Sequence, residues 1–385
     1  MGKQKTKLNF IDLFSGAGGL SCGLEMAGLN CLLGVDFNQD AIDTFKKNHP
    51  KSEVYCGDIS QLKSTEIKNL TKNQKINLVA GGPPCQGFST VGKGNPQDQR
   101  NQLFKQFIRI VNDFKPEFVV MENVTGLLAK KNEKSLQAII KLFNKLGYNI
   151  DVNILSAHHY GVAEKRRRTI FIGSRINNKI TFPEITHTEL PLTNKQRYIQ
   201  TVGDALYQLK TKNGLLHNHD LHQAQIKNPA DLARIKRIPE GKGIRYEKDE
   251  KAYLNKSLKL GINWNEIREN RLRQTKYQRL DSKLPSPTIM THRHNYYHPT
   301  EHRFLTQREA ASIQSFPNDF VFQGSITSQW RQIGNAVPPL LGKSIGQAIN
   351  LMYNNTTSEF KINSITQFKK EIDEKRGNAF KYIEK

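Results

Sequence analysis

Cysteine is scarce in this chain, and the few present exclude several classes of protein. Cys22, Cys31, Cys56 and Cys85 show neither metal-ligand spacing nor a disulfide framework. A reducing cytoplasm is the expected compartment, and no metal centre is expected. Long apolar runs are absent too: none approaches ~20 residues, so no membrane-spanning helix is expected. Residues 1–7 lead straight into a strand-like pattern, so no secretory leader is expected. No internal repeat appears. Acidic residues are the minority charge, 35 against 58 Lys and Arg, and the net charge is +23. Such an excess suits a polyanionic partner such as nucleic acid, and less readily an anionic membrane surface. At 385 residues the chain can bury a full core and hold two domains.

What is present centres on Gly81-Gly82-Pro83-Pro84-Cys85-Gln86-Gly87-Phe88-Ser89. The run 76–80 before it reads as a short buried strand. Two prolines fix φ and hold the chain extended, while the flanking glycines permit close backbone approach. Cys85 is thus expected at the carboxyl end of a strand, where open α/β sheets keep their ligand crevices. A lone cysteine is more often a small buried hydrophobe than a nucleophile. Pro-Pro-Cys-Gln-Gly, however, makes a poor core segment and a good rigid loop.

Upstream, residues 8–14 read as the first strand, Ser15-Gly16-Ala17-Gly18-Gly19 as a turn, and 20–27 as a helix. Backbone amides at such a helix start can approach a ligand. Ser21 stands where a dinucleotide pattern has its third glycine, so a nucleoside-type ligand without a pyrophosphate fits as well. The second strand, 31–35, ends in Asp36, placed to accept both hydroxyls of a ribose. The third, near 54–55, closes on Gly57-Asp58-Ile59, a carboxylate beside an apolar side chain that suits an adenine. Either acid alone also fits a cap or turn, and Asp58 the start of a helix over 61–70. Residues 90–100 read as a mobile lid. After a helix over 101–114, the strand 117–121 runs into Glu122-Asn123-Val124, where Glu122 is a candidate general acid or a helix N-terminal charge. Glu164-Lys165-Arg166-Arg167-Arg168 enters a strand over 169–173; Arg166 and Arg168 are expected on one face, turned toward Cys85 and Glu122.

In this order, glycine turn, Pro-Cys-Gln, Glu-Asn-Val and Arg-x-Arg, the chain resembles the cytosine-C5 DNA methyltransferases over residues 8–352. Residues 303–317 and Gln332-Ile333-Gly334-Asn335-Ala336-Val337-Pro338-Pro339 match further motifs of that family. The resemblance implies an α/β fold: a doubly wound, Rossmann-like mixed sheet with a smaller inserted target-recognition domain. It implies S-adenosylmethionine as methyl donor, with Phe14, Gly16, Gly18, Asp36, Asp58, Ile59, Pro83, Asn335 and Val337 around it. It further implies Cys85 as the nucleophile at cytosine C6, Glu122 at N3 and the exocyclic amine, and Arg168 at the O2 side; Arg166 is a further catalytic candidate. Gln86, Ser89 and Thr288 (of Ser286-Pro287-Thr288-Ile289) would face DNA. The family usually has glutamine where this chain has Glu164.

From about 186 to 302 the strand-helix alternation stops. A basic aromatic cluster, Arg271, Arg273, Lys276, Tyr277 and Arg279, suits a DNA-facing surface. His217, His219 and His222 lack a cysteine or acidic pair to complete a metal site. Thr306 and Glu309 form a capping box, an architectural reading of that motif. The expected division is a catalytic domain over 1–185 and 303–355, a recognition domain over 186–302 and a basic extension over 356–385. The expected function is methyl transfer to C5 of a flipped cytosine in a specific duplex sequence. Its expected setting is a restriction-modification system, acting as a monomer beside a cognate endonuclease on the same site. A tRNA cytosine methyltransferase and a non-catalytic DNA-binding regulator are the alternatives.

Overall fold

Parallel strands covered on both faces need apolar residues at every position rather than at alternate ones. β1 (Asn9–Leu13), β4 (Leu78–Gly81) and β5 (Phe118–Val124) meet that need, with Phe10, Ile11, Leu13, Leu78, Val79, Ala80 and Phe118 to Met121 fully buried. With β2 (Asn30–Asp36), β3 (Glu53–Cys56), β6 (Asn149–Ser156) and β7 (Arg167–Ser174) they form a seven-stranded sheet of order β3-β2-β1-β4-β5-β7-β6. β1 to β5 are parallel, and β7 runs antiparallel between β5 and β6. This is the expected doubly wound mixed sheet. The computed structural model describes residues 7–84, 99–129, 132–209, 215–356 and 360–362.

The helices follow from apolar spacing. In α4 (Gln99–Phe114), Phe104, Phe107, Ile110 and Val111 fall on one buried stripe. In α5 (Glu133–Lys145), Leu136, Ile139, Ile140 and Phe143 do the same. α1 (Gly19–Met26), α2 (Gln39–Asn48) and α3 (Ser64–Leu70) precede them. The helix Pro339–Asn354 brings the distant C-terminal part of the chain back against α1. The two approach so closely that a Cβ at Gly23 would overlap the Pro339 carbonyl, and one at Gly346 would lie 2.6 Å from Ala27 Cβ.

Two compact units result. The first comprises Met1–Tyr160, Arg167–Ile185 and Ala336–Lys385, and carries the sheet. The second comprises Gly161–Arg166 and Thr186–Asn335. It holds short helices, a two-stranded ribbon of Ile244–Tyr246 with Arg271–Lys276, and small apolar clusters around Ile235 and Trp264. The expected boundary at residue 302 therefore moves. Phe304 packs with Ile226, Ile235 and Tyr297, and the Asn218 side chain bonds the Phe322 backbone in both directions, so 303–335 belongs with the second unit.

β1 and β4 lie where the strand order reverses, which in open α/β sheets is where the crevice forms. Leu13 pairs with Gly81 there. A Cβ on Gly81 would overlap the Leu13 carbonyl oxygen, which is backbone and has no rotamer to yield. Gly81→Ala is therefore expected to destabilise the protein by about 1–3 kcal/mol. Urea unfolding followed by circular dichroism measures it, and an unchanged midpoint would contradict the packing.

Candidate active site

The turn after β1 is built from backbone conformations that side chains resist. Phe14, Gly16 and Gly18 all have positive φ, at 61°, 53° and 88°. For a phenylalanine this costs on the order of 1–2 kcal/mol, so its surroundings must impose it. The Ser15 amide donates to the Val35 carbonyl at 3.0 Å, and the Gly18 amide to the Ser15 carbonyl at 3.0 Å. A Cβ on Gly18 would strike the His49 ring below it, whereas one on Gly16 would meet nothing within 4 Å. The turn thus rests on packed side chains beneath and is open above Gly16.

Asp36 ends β2 and faces this turn. One carboxylate oxygen accepts the Gly16 amide and the other the Asn38 amide, each at 2.9 Å. Burial raises its pKa, opposed by hydrogen bonds from the Asn38, Gly16 and Phe37 backbones. Both oxygens keep lone pairs for further donors. The next residue in the chain, Phe37, is 78 % exposed, an aromatic side chain left open to solvent. The sequence reading passed over it, although an aromatic directly after a strand-terminal acid was the signal. Asp58 is exposed, and the Ser60 amide bonding its carboxylate lowers its pKa. It closes that turn rather than starting a helix, since α3 begins at Ser64. Ile59 is buried in the core, so its side chain has almost no surface for a ring.

On the other side of β1, the chain leaves β4 through Gly82, Pro83 and Pro84, and Asn123 holds it there. The Asn123 side-chain amide donates to the Pro83 carbonyl at 3.0 Å, fixing the loop two residues before Cys85. Cys85, Gln86, Ser89 and most of the expected lid lie outside the described residues. Glu122 sits within β5, not after it as expected, because pairing with β7 runs on to Val124. Its Oε1 is 2.8 Å from Arg168 Nε, and a Cβ on Gly82 would stand 3.1 Å from its Oε2. Glycine at 82 keeps that carboxylate oxygen uncrowded. A carboxyl and a guanidinium are therefore held together at the mouth of the loop that carries Cys85.

Arg166 does not share a strand face with Arg168, because β7 starts at Arg167. Its guanidinium is fully buried in the second unit, donating to the carbonyls of Gly334 at 2.8 Å and Ile289 at 3.4 Å. It stands 3.6 Å from Glu164, which is also fully buried and accepts the Ile289 amide at 2.6 Å. The glutamate in place of the usual glutamine thus gains a cationic neighbour and fastens the segment after Thr288. Residues 163–165 are zipped to Ser286 by two backbone hydrogen bonds of 2.8 Å. Thr288 is half-buried. Asn335 is the exposed last residue of the helix Ile326–Asn335, and Val337 is buried in the first unit.

The basic aromatic cluster divides. Arg279 is buried, donating to the Ile238 and Pro299 carbonyls, and Tyr277 donates to Asp231 at 2.5 Å. Arg271, Arg273 and Lys276 are exposed. Thr306 and Glu309 form the expected capping box, reinforced by a bidentate pair of Glu309 with Arg303 at 2.7 and 2.8 Å. Arg308 bonds the carbonyls of His217, Pro317 and Phe320, and burial pulls its pKa down to about 10. His219 is bonded to Thr306, and the described residues contain no group of His, Cys, Asp and Glu suited to a metal ion.

A family profile described as C-5 cytosine-specific DNA methylase matches residues 8–351. The chain is 36 % identical over 357 residues to Type II methyltransferase M1.HphI of Haemophilus parahaemolyticus, covering 90 % of this chain and 88 % of that protein. It is 32 % identical over 381 residues to Type II methyltransferase M.DdeI of Desulfomicrobium norvegicum, covering 90 % of each. Among solved structures it resembles a putative DNA modification methyltransferase encoded within a prophage of E. coli. That match has a TM-score of 0.64 and 29 % identity, covering 90 % of this chain and all of the other.

Under the glycine turn lies a group the sequence reading did not single out. Asp12 in β1 is 1 % exposed and accepts the Ser21 hydroxyl at 2.6 Å, so the serine at the third-glycine position holds a buried carboxyl. Burial raises the Asp12 pKa to about 6, and the Ser21 hydrogen bond only partly offsets it. With the folded pKa above the unfolded value, its contribution to stability is full below about pH 4 and is lost as pH rises through about 6. Asp12→Asn removes that titration while keeping an acceptor. Relative to the variant, the wild type is expected to lose up to about 3 kcal/mol between pH 4 and pH 8. Chemical denaturation of both proteins across that range measures it; a constant difference would contradict the assignment.

Proposed function

The chain belongs to the C-5 cytosine-specific DNA methylases, and from that premise we propose that it transfers a methyl group from S-adenosylmethionine to C5 of a flipped cytosine in a specific duplex DNA sequence. The observation that carries this reading is the pair of Glu122 and Arg168, 2.8 Å apart, beside the Asn123-anchored entrance to the Cys85 loop. The naming of its relatives as type II methyltransferases supports a modification role in a restriction-modification system. Tritiated-methyl transfer to duplex DNA and not to tRNA separates this reading from activity on RNA.

The chemistry needs each of these groups. Cytosine C5 is too weak a nucleophile to attack a sulfonium methyl unaided. Addition of the Cys85 thiolate to C6, with a proton delivered to N3 from Glu122, makes the ring an enamine whose C5 carries the electron pair. C5 would then take the methyl group as the S–CH3 bond breaks, leaving the neutral thioether S-adenosylhomocysteine; loss of the C5 proton to a base, elimination of the thiolate and return of the N3 proton to Glu122 would restore the ring. Arg168, on the strand beside Glu122, holds that carboxyl in place and can meet the O2 side of the base. Arg166 makes its bonds to backbone carbonyls in the second unit and acts there as a positioning residue, not a catalytic one.

The residues around the glycine turn fit the methyl donor. When bound, S-adenosylmethionine supplies an electrophilic methyl group on a sulfonium. Asp36 would accept the ribose hydroxyls, and the exposed Phe37 ring suits the adenine face. Asp36→Ala would remove a charged acceptor and release the Gly16 and Asn38 amides together. Affinity for S-adenosylmethionine is expected to fall about tenfold to a hundredfold, as for the loss of a charge-assisted hydrogen bond. Calorimetry on the folded variant reads this directly.

The mechanism itself is open to trapping. Fluorine at C5 cannot depart as a cation, so the reaction should stop at the covalent adduct after methyl transfer. DNA carrying 5-fluorocytosine is expected to give a denaturant-resistant protein–DNA complex only with S-adenosylmethionine present. Cys85→Ser is expected to lose it, since a neutral hydroxyl is a far poorer nucleophile than a thiolate. Glu122→Gln is expected to slow it severely. A wild-type protein that methylates cytosine without forming the adduct would overturn the role of Cys85.

A further inference from the structure

Several of the second unit's arginines serve its own architecture. Arg166, Arg234, Arg279, Arg303 and Arg308 all donate to backbone carbonyls within the unit. The strand Arg271–Lys276 differs. Leu272 packs with the apolar cluster around Trp264, which fixes the strand, yet Arg273, Gln274 and Lys276 are exposed. Among the described residues these three make no side-chain hydrogen bond or ion pair, whereas Arg271 lies 3.1 Å from Glu269.

The strand is paired along one edge with Ile244–Tyr246, at Ile244↔Lys276 and Tyr246↔Arg271. Beside it runs a trough of ≈ 480 Å³ lined by Arg273, Gln274, Lys276, Tyr277, Tyr297 and Asp231, whose carboxylate is taken up by Arg234 and Tyr277. A two-stranded ribbon of this kind has the width that a DNA major groove admits. Cations alone would serve phosphates, which position a protein without reading sequence. Gln274 adds something a phosphate does not require: a planar amide with one donor and one acceptor, the match for adenine N6 and N7. Arg273, the preceding residue, would alternate to the other face of a regular strand, yet it lines the same trough as Gln274, and its fork matches guanine O6 and N7. Side chains borne on a packed strand are also held more narrowly than those on a loop.

We propose that the strand Arg271–Lys276 is the base-reading element, with Gln274 reading an adenine edge and Arg273 a guanine edge in the major groove. Lys276 contacts phosphate. The inference rests on the proposed action on DNA and names the residues that choose the sequence.

The test is methylation of a randomised duplex library, read by sequencing, for wild type and variants. Unchanged S-adenosylmethionine binding and thermal unfolding establish that the variants are folded. Gln274→Ala is expected to lose roughly tenfold to a hundredfold of discrimination at one A·T position, and Arg273→Ala as much at one G·C position, with other positions kept. Gln274→Glu is expected to move the preference at that position toward cytosine, whose amino group a carboxylate accepts. Lys276→Ala is expected to weaken all sequences alike and lower the salt slope by about one. A uniform loss with Gln274→Ala and Arg273→Ala, or an unchanged preference in both, would overturn the proposal. Wild-type protein that methylates no sequence would instead overturn the function, and this inference with it.

Discussion

The candidate site depends on how closely two strand ends approach. Leu13 and Gly81 face each other at the point where the sheet's strand order reverses, and no side chain fits between them. That contact brings the glycine turn after β1 and the proline loop after β4 out of the sheet side by side. Each is then fixed by one polar side chain from the next strand outward. Asp36 of β2 holds the turn through Gly16, and Asn123 of β5 holds the loop through the Pro83 carbonyl. A ligand arriving there meets a shape already set by backbone, as preorganised sites require.

The sheet was legible because buried parallel strands read as continuous apolar runs, and chemistry-bearing residues punctuate their ends. Asp36 and the glycines after β1 stand at such ends, whereas Glu122 lies inside β5, because pairing with β7 carries the strand two residues past it. Asp12 and Ser21 were not, because a carboxyl inside an apolar strand shows its environment only after folding. Arg166 was misplaced by strand alternation: β7 starts one residue after it, and the six residues before belong to the second unit. The boundary near 302 failed for a similar reason. Residues 303–335 carry a recognisable motif, but Phe304 and Phe322 face partners in 215–300 that periodicity cannot reveal.

The basic cluster shows why charge counts alone do not locate an interface. Arg279 and Arg273 look alike in sequence, yet one is buried under carbonyls and the other exposed on a strand. The apolar clusters around Ile235 and Trp264 in the second unit are small, and buried arginines bonded to several carbonyls at once fasten its loops. Such cross-links are directional, because a guanidinium offers five donors in a fixed fork. They define loop geometry more narrowly than apolar contact alone would.

The glycine-lined meeting of α1 with the helix Pro339–Asn354 bears on how the protein is made. α1 emerges well before its partner, which follows about 300 residues later, roughly 15–60 s at ordinary elongation rates. Throughout that interval Leu20 and Leu24 lack their final cover. The nascent sheet can pair, but its flank stays unsealed until Pro339–Asn354 has left the ribosome. Premature termination before Pro339 would therefore leave a sticky intermediate for chaperones and proteases. Expressed as two fragments, the same seam is where the pieces would reassemble.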